Sequence, residues 1–170
     1  MASTYIAKSL TVPFASNQHM LTVFNPAASG KIVRVYRIWI ENNIVSAVTG
    51  VTPILKVFRC TAASAGVVIV PVSYDSTNVA LGTVAAGSKM TVTTSSLFGN
   101  RAISNEEPIQ MQGGVEEWTN FIHTTELYNV GSRNSAIDPI VCREGQGITV
   151  QNSTATTVGN IDVFIEFTVT

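Results

Sequence analysis

Charge is what this sequence has least of: Asp, Glu, Lys and Arg make up 12% of its 170 residues, against about 25% in an ordinary soluble domain. The charges present cancel, with Lys+Arg 10 against Asp+Glu 11 and a net charge of -1. Without a basic excess the chain is poorly equipped to neutralise a phosphate backbone, so no direct nucleic-acid partner is expected. Histidine is scarce too, with only His19 and His123. A bound cation needs several donors converging on one point, so no metal and no cofactor is expected. Two cysteines, Cys60 and Cys142, make no disulfide framework and read as small buried side chains. No apolar run approaches the roughly 20 residues needed to span a bilayer, so no membrane partner is expected. The opening residues Met1 to Lys8 lack the basic and apolar regions of an export signal, so the chain is expected to be made in a cytoplasm.

Helical periodicity is also missing. What is there instead is 45% hydrophobic residues and a mean hydropathy of +0.28, arranged in β-branched and alternating runs between turn signals. Strands are predicted over residues 5–12, 19–24, 31–42, 53–61, 67–72, 89–94, 115–124, 140–143, 148–152 and 160–170. The fold class is therefore all-β, a two-sheet antiparallel β-sandwich of jelly-roll type with about eight to ten strands, formed as one domain over residues 1–170. A chain of this length hides roughly 70% of its unfolded surface. Strand 5–12 is a candidate arm toward a neighbouring subunit.

Two strands carry most of the information. Residues 160–170 set Ile161, Val163, Ile165, Phe167 and Val169 on one face against Asp162, Phe164, Glu166 and Thr168. Residues 31–42 are apolar on both faces, with Ile32, Arg34, Tyr36, Ile38 and Ile40 opposite Val33, Val35, Arg37, Trp39 and Glu41. Such a strand belongs in the middle of a sheet. Arg34 and Arg37 then face opposite sides and need partners, with Glu41, Glu166, Asp162 or an acid on a neighbouring subunit as candidates.

No pattern carries catalysis. Glu106-Glu107 and Glu116-Glu117 are the concentrations of acid, but adjacent residues on a strand point to opposite faces, so neither is automatically a dyad. Neither a Gly-x-Ser-x-Gly elbow nor a phosphate-cradling glycine loop is present. Trp39, Trp118, Tyr36, Tyr74 and Tyr128 could stack against sugar, yet aromatics in strands more often fill a core. Residues 95–114 form the longest stretch without a period, which marks them for partner contacts. The chain is expected to bind and assemble rather than catalyse.

The run from Phe24-Asn25-Pro26-Ala27-Ala28-Ser29-Gly30-Lys31 to Trp39 resembles a group of small virion proteins of tailed bacteriophages. The likeness continues through Pro71-Val72-Ser73-Tyr74-Asp75, Asn105-Glu106-Glu107-Pro108, Glu117-Trp118 and Pro139-Ile140-Val141-Cys142-Arg143-Glu144-Gly145. The resemblance implies a capsid decoration or cement protein, a homotrimer on the outside of the head that braces the major capsid protein. Its localisation would be the capsid surface of the virion. The alternative is a receptor- or glycan-binding fibre or head-spike domain. Candidate interface residues are Arg34, Arg37, Trp39, Tyr74, Asn105, Glu106, Glu107 and Trp118.

Overall fold

The structure, a computed structural model, describes residues 3–42, 53–77, 81–102, 124–130, 138–154 and 159–170. These contain β1 (Ser3–Pro13), β2 (His19–Asn25), β3 (Val33–Asn42), β4 (Ile54–Ser64), β5 (Val67–Ile69) and β6 (Val72–Ser73). They continue with β7 (Ala85–Ser88), β8 (Thr91–Ala102), β9 (Thr124–Asn129), β10 (Ile140–Cys142), β11 (Gln146–Asn152) and β12 (Asn160–Val169). All pairings are antiparallel. In sheet 1 the order is β10-β3-β12-β1-β6, with β9 also paired to β3 beyond β10. Sheet 2 runs β5-β7-β2-β11-β4-β8. The sheets pack face to face as the β-sandwich that the sequence predicts.

Alternation in β12 produces the sheet 1 half of the core. Ile161, Val163, Ile165 and Phe167 are buried between the sheets, while Asp162, Phe164 and Glu166 stay half-buried on the outer side. Sheet 2 supplies Leu21, Val23, Val57, Ile148 and Val150 from the facing strands. Arg59 ties the layers together at one end, its Nη1 donating to the Val141 carbonyl at 2.6 Å.

β3 lies inside sheet 1 with partners on both sides, as its pattern predicts, and that doubly apolar pattern has a second cause, a bulge. Glu166 pairs with Arg37 and Phe167 pairs with Val35, so Tyr36 is an extra residue without a counterpart on β12. Such a bulge shifts the alternation by one. Val33 and Val35 before it, and Ile38 and Ile40 after it, all point into the core. Arg34 opposite Thr168 and Arg37 opposite Glu166 consequently share the outer face, rather than lying on opposite faces.

Three further expectations are corrected. The predicted strand 67–72 is two strands in two sheets, because Pro71 has no N–H to continue a ladder and the chain crosses there from the edge of sheet 2 to the edge of sheet 1. Ala85–Ser88, a run of small residues that suits a turn and falls outside the predicted strands, is β7. Its Gly87 is small because Met90 lies across it, so that an added Cβ would come within 2.9 Å of Met90 Sδ and of the Val67 carbonyl. The predicted strand 89–94 runs on through Ala102, exposed along most of its length and irregular in register against β4. Residues 103–123, which hold most of the predicted strand 115–124, lie outside the described residues.

Candidate interaction surface

Arg34, Arg37, Trp39 and Tyr74 come together on the outer side of sheet 1 or at its rim. Arg37 extends from β3 toward β9, where its Nη2 lies 2.8 Å from Glu126 Oε1 and its Nε donates to the same oxygen at 2.9 Å. Asn129 Nδ2 also donates to Glu126 Oε1, at 2.6 Å. Glu126 is thus the partner of Arg37, and not Glu41, Glu166 or Asp162 as the sequence pattern proposed. Arg34 donates from Nη1 to Thr170 Oγ1 at 2.7 Å.

The Arg37 guanidinium lies 4.6 Å from the centroid of the Trp39 ring. On cross-strand neighbours, Trp39 and Phe164 stack with centroids 5.0 Å apart and planes 5° apart. Guanidinium, indole and phenyl therefore form one continuous stack from β3 to β12. The indole N–H donates to Glu41 Oε1 at 3.2 Å. Trp39 is only 8% exposed although it lies outside the core between the sheets, so its ring is packing material and not a free platform.

Tyr74 differs. It follows β6 at the open edge of sheet 1, its backbone N–H bonded to the Thr4 carbonyl, and it is 60% exposed. Partial burial, reinforced by the Glu166 charge, raises its phenol above the usual range. Asn105, Glu106, Glu107 and Trp118 lie outside the described residues.

The surface that sequence reasoning missed begins beside Tyr74. Val67, Val68, Val70, Val72 and Tyr74 are all exposed, with Val68 and Val70 each at 82%. They line the side of the sandwich where the chain passes from β5 to β6. Against them lies an apolar pocket of about 260 Å³, open to solvent and lined by Val67, Val68, Leu81, Val84 and Met90 among others. At the opposite edge of sheet 2, β8 exposes Leu97 and Phe98, and the Arg59 guanidinium lies 5.2 Å from the Phe98 ring. A signal was present in the sequence: an apolar run interrupted by Pro71 cannot be an interior strand, which leaves its valines at an edge.

Cys60, Cys142 and His19 are all buried within the sandwich. Burial pushes the Cys60 thiol up to about 12 and the Cys142 thiol to about 11, so neither is a thiolate at neutral pH. His19 Nδ1 lies 3.1 Å from Thr149 Oγ1, which is in turn 2.8 Å from Thr22 Oγ1. Among the described residues, no group of three or more His, Cys, Asp or Glu side chains is placed to hold a metal ion. No family model, curated protein or solved structure matches the chain.

Proposed function

We propose that this chain is a structural protein of a bacteriophage virion, a decoration or cement protein that binds the outside of the head and stabilises the shell of the major capsid protein. The observation that carries the assembly part of this reading is the uncovered apolar side at residues 67–74. Contiguous exposed apolar patches on soluble proteins mark contact surfaces, and this patch sits on a chain with few charges to desolvate on docking. The virion part rests on the sequence resemblance. Several weak contacts made at once by an oligomer, a homotrimer in this reading, would hold such a protein on a shell without any single strong one.

Titrating the purified chain onto particles that lack it tests the reading. Saturable binding at many sites, with the shell then disrupting at a higher temperature, is expected. Absence of binding, or saturation at only a few sites, contradicts it. Tyr74 gives the receptor- or glycan-binding alternative its one specific support, as an exposed aromatic near Glu166 and Arg37. Glycan binding lost on Tyr74→Ala would establish that alternative.

A further inference from the structure

Lysine brackets the apolar pocket at both ends. At one end Lys31 reaches the pocket residue Gly82, its Cε 4.0 Å from where a Cβ on that glycine would stand. At the other end Lys89 follows β7, is exposed, and adjoins Met90, which lines the pocket. Among the described residues neither ammonium has a carboxylate within ion-pair distance. The Glu144 carboxylate accepts the Gly30 N–H at 2.7 Å. That of Asp75, past β6 on the edge of sheet 1, accepts the Thr77 N–H and hydroxyl. The surface is an apolar recess with an unmatched cation at each end.

Three observations select what fits there. β5 ends sheet 2 and pairs only with β7 among the described residues, so its outer side offers backbone N–H and C=O groups to a further strand. The pocket, about 260 Å³ and open to solvent, is smaller than the roughly 300–1,000 Å³ sites that bury a small ligand. It suits side chains of a segment laid across it. Charge then disfavours a second copy. At the opposite edge β8 carries Arg101, and the Arg59 guanidinium lies 5.2 Å from its Phe98 ring, so cation would meet cation. Two copies joined by this same edge would likewise bring lysine toward lysine.

We infer that the 67–70 edge and its pocket receive an extended segment of another protein, added as a strand beside β5, with apolar side chains in the recess and an acidic residue toward each lysine. Strand addition of this kind draws affinity from the backbone and specificity from alternate side chains. Gly82 and Lys89 are seven positions apart, a span that about seven extended residues cover at roughly 3.3 Å each. The inference rests on the assembly reading and names the chemistry of the partner segment. It is tested without particles, so its failure is distinct from a failure to bind them.

The probe is the blocked peptide Glu-Thr-Val-Thr-Val-Thr-Glu, whose acids and valines share one face of a strand. Its binding to the isotopically labelled chain is followed by amide NMR shifts at low salt. Shifts centred on residues 65–70 and 81–90 are expected, with Lys31→Gln and Lys89→Gln each weakening affinity about two- to fivefold. The variant carrying Lys31→Glu and Lys89→Glu is expected to lose this peptide and to bind its counterpart with lysine at both ends. A merely structural role of either lysine would not produce that reversal. Far-UV circular dichroism checks folding, and Lys89→Glu alone serves in place of a double variant that does not fold. No shifts at this edge with the peptide in large excess, or equal binding of a peptide with Gln for both Glu, would overturn the inference. The same shifts produced by dodecanoate, or by concentrating the chain alone, would make an amphiphile or a second copy the occupant and overturn it as well.

Discussion

His19 sits at the start of β2 with its imidazole against Thr149, and burial holds it below the ordinary value of 6.5. As pH falls, the unfolded chain therefore takes up this proton before the folded one does. The contribution of neutral His19 to stability is complete above about pH 6.5 and is lost progressively below it, down to the folded-state value. Thermal unfolding followed from about pH 7 to about pH 5 should show a falling midpoint, and His19→Gln should flatten that slope. On sheet 1, the stack matters more than the ion pair. Arg37 and Glu126 are each about one-third exposed, so Glu126→Gln should cost only about 0.2–1 kcal/mol. Trp39 is buried against Phe164, and Trp39→Ala should cost about 3–5 kcal/mol. Chemical denaturation of both variants checks this order, and equal losses would contradict it.

Glycine positions decide how the strands of sheet 2 are roofed. Gly147 in β11 leaves room for Phe24 of β2 to lean over it, and an added Cβ would meet Phe24 Cδ2 at 2.9 Å, Cys60 Sγ at 2.8 Å and the Val23 carbonyl at 2.5 Å. The last of these is backbone and cannot turn aside. Gly147→Ala should therefore destabilise by about 1–3 kcal/mol, measured by denaturant unfolding, whereas an unchanged midpoint would show that β2 can shift. The same element scale explains what was legible in the sequence. The alternation of β12 from Asn160 to Phe167 displays its burial residue by residue, because each inward side chain meets the facing sheet. In β3 the apolar content was legible but the facing was not, since one extra residue at Tyr36 inverts the alternation and a sequence window does not show the opposing strand. β7 is built of small residues chosen for close approach, which also mark turns. β8 hides because its exposure on both faces removes any alternation. Of the candidate site, Arg34, Arg37, Trp39 and Tyr74 were legible as residues, but Glu126 was not, since the pairing of β9 with β3 joins segments far apart in the chain. The apolar edge was overlooked because the valines of 67–72 fit an interior strand until Pro71 is allowed to divide it.

At the scale of the molecule, low charge and exposed apolar edges act together. A net charge of -1 gives copies little mutual repulsion, and the valines beside Pro71 and the pair Leu97 and Phe98 gain from leaving water. A chain of this kind is suited to surfaces that meet many times, which is the demand made on a protein that covers a shell. A fibre or spike meets its particle at few points. The direct measurement is the copy number of this chain relative to the major shell protein in purified particles, by quantitative mass spectrometry. Hundreds of copies per particle are expected; a handful, or none, would contradict the proposed decoration role.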